Sequence, residues 1–160
     1  MASVGPNSAR CFFVAWVLAW ATAVYLPSLA ITLLSLSPLP SGGNLLLDTF
    51  QVADEVSPAA KLTYAALFGA FMISARVVGA GHGVPTSVVV GVVSIALVVA
   101  LLPEAWSRGF GIGLKGVRFD PLPTAIYLIG GVASGVVFSL LEAKCLSRGQ
   151  SHALDHSSGG

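Results

Sequence analysis

Charge is missing from three long stretches of this chain: none lies between Arg10 and Asp48, between Arg76 and Glu104, or between Asp120 and Glu142. About 20 consecutive apolar residues in a helix cross the hydrocarbon core of a bilayer, and each interval is at least that long. Charged residues make up only 9% of the 160, where soluble domains use about 25% to cover their surface. The fold class that follows is an all-α integral membrane protein with four transmembrane helices in an antiparallel bundle.

The first span covers about 12–36, from just after Arg10 to the stop at Pro38 and Pro40. Pro27 removes a backbone donor inside it and predicts a kink near Leu26. The same segment has a second reading as a cleaved signal peptide, with Ala21-Thr22-Ala23 as a small-x-small cleavage pattern. The apolar run continues past Ala23 to Leu36, as a retained helix would.

Spans two and three cover about 60–80 and 86–102. The run Gly79-Ala80-Gly81-His82-Gly83 before Pro85 is short enough to force them into a tight hairpin. Span three is rich in valine, which favours strands in water. An open strand in lipid would leave its backbone groups unpaired, so a helix is expected. Span four covers about 122–141. Residues 1–146 thus form one four-span membrane domain, and 147–160 are expected to be a disordered polar tail.

Two connections are more than linkers. Between the first two spans, Asn44 can cap a short helix that places Leu46, Leu47 and Phe50 on one face at the membrane surface; an irregular loop is the competing reading. Between spans three and four, Trp106, Phe110 and Phe119 are mixed with Arg108, Lys115 and Arg118. Rings at the interface and cations toward phosphates make those three basic residues candidate anion or headgroup contacts.

The strongest packing signal is Gly131-Val132-Ala133-Ser134-Gly135, a G-x-x-x-G whose glycines form a groove for a second helix, from this chain or another subunit. Ser87 with Gly91, and Ala96 with Ala100, repeat the small-residue spacing in span three. In span two, Ala65, Gly69 and Met72 form a flat strip beside the stripe of Tyr64, Phe68, Phe71 and Ala75. That aromatic stripe is expected in lipid or in the bundle core.

Arg76 is the one charge placed in the body of a span. A midplane cation costs about 2.5–3.5 kcal/mol on insertion scales, but Arg76 lies about a turn from the end and is expected to snorkel to the interface. A bundle-facing arginine binding an anion, a headgroup or a carbonyl is the alternative. Asp120 or Glu104 could reach it only if the loops fold back.

Signs of chemistry are weak. Gly111-Ile112-Gly113-Leu114-Lys115-Gly116 spells a dinucleotide fingerprint, but a membrane span precedes it instead of a strand. His152, Asp155 and His156 have metal-like spacing in a tail that nothing organises, and His82 sits in a glycine turn. No nucleophile elbow and no mid-span carboxylate pair occurs in the sequence. No enzyme activity, metal or cofactor is expected, and a net charge of +1 gives no pull on nucleic acid. Cys11 and Cys145 fall on the same side of a four-span chain but are expected to be free thiols, since a bridge would require the bundle to bring them together.

Three functional classes remain. A structural or accessory subunit, acting through helix packing with another membrane protein or itself, is favoured by small-residue faces and an expected absence of buried charge. A small channel or transporter would have Thr22, Thr32, Ser74, Arg76 and Ser94 to line a path. A membrane enzyme has no catalytic set. The composition suits a bacterial inner-membrane protein. Basic residues balance between the two sides, so the positive-inside rule does not decide; the acidic first loop leans toward cytoplasmic termini.

Overall fold

The structure is a computed structural model and describes residues 6–34, 43–79, 83–101 and 121–157. Those residues form five helices: α1 (Pro6–Leu33), α2 (Leu45–Glu55), α3 (Pro58–Val77), α4 (Val84–Leu101) and α5 (Pro121–Ser157). Four stretches, Ser8–Leu33, Pro58–Val77, Val84–Leu101 and Thr124–Ser147, are long and apolar enough to cross a membrane. At about 1.5 Å rise per residue, the shortest, of 18 residues, reaches about 27 Å, slightly under a hydrocarbon core about 30 Å thick.

The helix boundaries follow from local chemistry. The Asn44 side chain accepts from the amides of Leu46 and Leu47 at 3.1 and 3.4 Å and starts α2. Ser57 does the same for α3 through the Ala60 amide at 3.3 Å, with Pro58 in the first turn. α3 ends where Gly79 adopts φ +72°, a conformation that costs other residues strain, and the Gly79 amide closes back on the Arg76 carbonyl at 3.2 Å. The valine-rich α4 is helical throughout.

Some boundaries differ from the sequence expectation. α1 starts before Arg10, at Pro6, and its helix runs unbroken through Pro27 to Leu33. α5 passes the expected limit at Leu141 and stays helical to Ser157, into the segment expected to be disordered. Its continuation reads Glu142-Ala143-Lys144-Cys145-Leu146, residues of good to moderate helix propensity with nothing to stop the helix.

α5 is the most heavily contacted element, packing along both α1 and α4; α2 rests on α1, α3 on α4, and α1 touches α3 more lightly. α1 presents a stripe of Cys11, Ala15, Ala19, Ala23, Pro27 and Ile31, all buried and recurring every four residues. Small side chains at that spacing let two helix backbones come close. The approach of α4 to α5 is closer still. A Cβ on Gly91 would collide with the Gly131 carbonyl oxygen, one on Gly131 would lie 2.9 Å from the Gly91 oxygen, and one on Gly135 would lie 2.6 Å from the Val88 Cα. The groove on α5 is thus occupied by α4 of the same chain.

α2 buries Thr49, Val52 and Ala53 and exposes Leu46, Leu47 and Phe50. Phe50 meets Tyr25 of α1 edge to face at 5.5 Å. Such an outward apolar face suits the headgroup region of a bilayer.

Because backbone stands directly behind each glycine, Gly91→Leu and Gly135→Leu should each destabilise the protein by about 3 kcal/mol, the upper part of the overpacking range. Unfolding by denaturing detergent added to mild-detergent micelles should show a lowered midpoint for both, while Ala96→Leu, on the exposed face of α4, should leave it in place. An unchanged midpoint for Gly91→Leu would contradict the close α4–α5 contact.

Candidate functional site

The densest polar chemistry among the described residues lies where α1 begins, α3 ends and the apolar part of α5 ends. Arg76, in the last turn of α3, forms an ion pair with Glu142 of α5 through Nη2 and Oε1. Its guanidinium carbon sits 4.3 Å from the centre of the Phe12 ring, close enough for a cation–π attraction. Glu142 is only 4% exposed. The snorkelling expected of Arg76 is therefore replaced by an inward-facing ion pair, and the expected absence of buried charge does not hold. The reason is the longer α5: Glu142 lies inside a packed helix, where the sequence reading had placed it with the polar end.

Beside this pair, Cys11 and Cys145 form a disulfide with Cα atoms 5.6 Å apart, within the range such bonds need. This corrects the expectation of free thiols. Small residues on α1 and α5 hold the two backbones at the required separation, and Glu142 and Cys145, three residues apart, share a face of α5.

From the ion pair an aromatic ladder leads inward. Phe12 meets Phe138 edge to face at 5.4 Å, Phe138 meets Phe68 in the same way at 5.5 Å, and Phe68 stacks on Tyr64 at 5.7 Å. The ladder ends in a buried hydrogen bond of 2.7 Å between the Tyr64 hydroxyl and Ser134 Oγ. Tyr64 and Phe68 thus belong to the interior, while Phe71 and Ala75 of the same stripe are half-buried. Two indoles tie α1 to α3: Trp16 Nε1 donates to the Ala65 carbonyl and Trp20 Nε1 to the Lys61 carbonyl, each at 3.0 Å. Gly69 lies against Trp16, where a Cβ would come within 3.0 Å of the indole nitrogen.

The structure brings Ser87, Gly91, Gly131, Ser134 and Gly135 together at the α4–α5 contact and its margin, and places Gly69 apart from them, under Trp16. Arg108, Lys115 and Arg118, with His82 and the glycine fingerprint at 111–116, lie outside the described residues, as do the side chains of His152, Asp155 and His156. The polar residues considered for a conduction path are spread over α1, α3 and α4. Thr22, Thr32 and Ser74 each donate to a carbonyl one turn back on their own helix, and Ser94 is wholly buried on α4.

Sequence reasoning missed Glu142, Phe12 and the disulfide. The spacing of Cys11, Ala15, Ala19 and Ala23 was the signal for a close-packed face on α1 ending in a cysteine. The pairing of Arg76 with Glu142 had no local signal, because it depends on which helices are neighbours.

A cavity of about 20 Å³ lies between Ala23, Lys61, Tyr64, Ile95 and Tyr127, room for about one water. The site as a whole offers a compensated charge pair, a covalent link and a filled aromatic interior. No family profile, curated protein or solved structure matches the chain.

Removing one member of a buried ion pair strands the other, at a cost of about 3 kcal/mol or more. Arg76→Met should therefore lower the unfolding midpoint strongly, and adding Glu142→Gln should recover part of the loss. A double-mutant cycle read by detergent-induced unfolding checks this; strictly additive effects would mean that the two residues do not interact.

Proposed function

We propose that this chain is a structural or accessory membrane subunit: an antiparallel four-helix bundle that acts through helix packing in the bilayer, against another membrane protein or a second copy of itself. The observation that carries the reading is the contrast between a filled interior and plain outward faces. Phe68 and Phe138 have no exposed surface, and the cavity beside Tyr64 has room for about one water. Residue contacts that run in opposite order along paired helices, such as Cys11 with Cys145 and Gly130 with Pro27, support the antiparallel arrangement.

The outward faces carry Leu62, Ala66, Ala70 and Ile73 on α3, and Val89, Val93, Ala96 and Ala100 on α4. Both stripes contain small residues four apart, a spacing that admits a neighbouring helix closely. The G-x-x-x-G on α5 is used within the chain, so contact with a partner falls to these faces. No catalytic step, cofactor or nucleic acid enters the proposal. A bacterial inner membrane is the proposed location, on composition.

A small channel or transporter is the second reading, and the observation in its favour is the Arg76–Glu142 pair, since ionisable residues within membrane helices frequently serve transport. It would require the helices to rearrange, because Thr22, Thr32 and Ser74 spend their hydroxyl protons on carbonyls of their own helices.

Purification in a gentle detergent should yield the chain with a partner or as a defined oligomer. Ala66→Leu with Ala70→Leu, or Ala96→Leu with Ala100→Leu, should dissociate that assembly without altering the unfolding midpoint. Light scattering that finds a monodisperse monomer, indifferent to both pairs of substitutions, would reject the subunit reading. Solute flux in liposomes that Arg76→Ala abolishes would establish the transport reading in its place.

A further inference from the structure

We propose that the end of the protein carrying the Cys11–Cys145 disulfide faces the oxidising, non-cytoplasmic side of the membrane, so that both termini lie outside the cytoplasm, and that a dithiol–disulfide oxidoreductase on that side closes the bond. This is the reverse of the orientation to which the acidic first loop inclines the sequence.

The geometry begins the argument. Cys11 lies near the start of the stretch Ser8–Leu33 and Cys145 near the end of Thr124–Ser147, and the bond between them puts both of those ends on one side. Arg76 and Glu142 lie at the same end, since Phe12 adjoins Cys11 and Glu142 is one turn from Cys145. Thiols are held reduced in the cytosol of ordinary cells, whereas protein disulfides form and persist in the periplasm and other oxidising spaces. A disulfide joining the first and last membrane helices therefore reports the side on which those helix ends sit.

Charge does not oppose this assignment. Counted on the sequence, Arg10, Arg76, Lys144 and Arg148 stand on the disulfide side, and Lys61, Arg108, Lys115 and Arg118 on the other. Each side holds one ion-paired base, Arg76 with Glu142 and Lys61 with Asp54. The positive-inside rule is therefore balanced, and the disulfide sets the orientation.

The two sulfurs are not equivalent. Cys11 is 5% exposed, while Cys145 is half-buried, so Cys145 is the one an external protein can reach. Its thiolate attacks the disulfide of the oxidoreductase, forming a mixed disulfide and releasing one thiolate of that protein. The Cys11 thiolate then attacks the Cys145 sulfur, closing the Cys11–Cys145 bond and expelling the second thiolate. The two thiols of this chain lose two electrons and two protons, and the oxidoreductase gains both as a dithiol.

The test uses the full chain in a bacterial host, with alkaline phosphatase, active only after export, or green fluorescent protein, fluorescent only in the cytoplasm, fused to the carboxyl terminus. Phosphatase activity without fluorescence is expected; fluorescence without phosphatase activity overturns the proposal. In the same cells, the unfused chain is trapped in acid, denatured and treated with a polyethylene-glycol maleimide. Both cysteines should resist labelling until a reductant is added, and cysteines that label without reductant overturn it. In a host lacking the non-cytoplasmic dithiol oxidase the cysteines should label directly; an undiminished disulfide there overturns the oxidoreductase step. These readouts are independent of any partner subunit, so they stand or fall separately from the assembly reading.

Discussion

Helices in lipid gain little by hiding apolar surface from one another, because the surrounding acyl chains are as apolar as leucine; close packing has to hold them instead. In this chain that requirement is met by missing side chains. Gly131 and Gly135 let the backbone of α4 approach within van der Waals contact of α5, and the alanine stripe of α1 is buried as α1 packs along α5. Nearly every other feature depends on α5 holding these two neighbours at short range. The disulfide needs α1 within reach of Cys145, the aromatic ladder needs Phe12 beside Phe138, and the Tyr64–Ser134 bond needs α3 at the margin of the same groove.

Many polar groups of these helices are satisfied at short range, with the buried Ser94 Oγ an exception. Trp16 and Trp20 donate into carbonyls of α3, and Thr22, Ser28, Thr32 and Ser74 donate into their own helices. The ion pair is the costliest of these arrangements, because both partners are drawn from water and neither can be removed without stranding the other. Its position at the end of α3 softens that cost. A cation in the last turn of a helix faces the negative end of the helix dipole, and the Phe12 ring covers one face of the guanidinium.

Missing charge made the helices legible. Lipid tolerates neither charge nor open backbone, so intervals without charge had to be helical and long, and caps such as Asn44 and breaks such as Gly79 could be placed from single residues. The groove on α5 was legible as well, because glycine spacing is a local property, though its occupant was not. What could not be read was adjacency. Arg76 and Glu142 are far apart in sequence and carry no periodic signal connecting them. Glu142 stands near Lys144 and Arg148, a grouping that in water marks a solvated terminus. The cysteines pose the same problem: composition says how many there are, and only packing says how far apart they lie.

The two ends of the protein are built differently. At one end, α1, α3 and α5 are joined by a covalent bond, an ion pair and a cation–ring contact within a few residues of one another. At the other, the helices are joined by noncovalent contacts: the indole of Trp20 on Lys61, a surface ion pair between Lys61 and Asp54 at 3.9 Å, and α2 resting on α1 with Leu46, Leu47 and Phe50 turned outward. An exposed pair of that kind contributes little, and an outward apolar face on a short helix gains its stability from the headgroup layer it enters. The helices are therefore clamped at the disulfide end, while the end bearing α2 is held by the burial of Thr49, Val52 and Ala53 and by weaker surface contacts. A rearrangement on binding a partner would meet least resistance at the α2 end, because no covalent or buried ionic contact among the described residues has to break there.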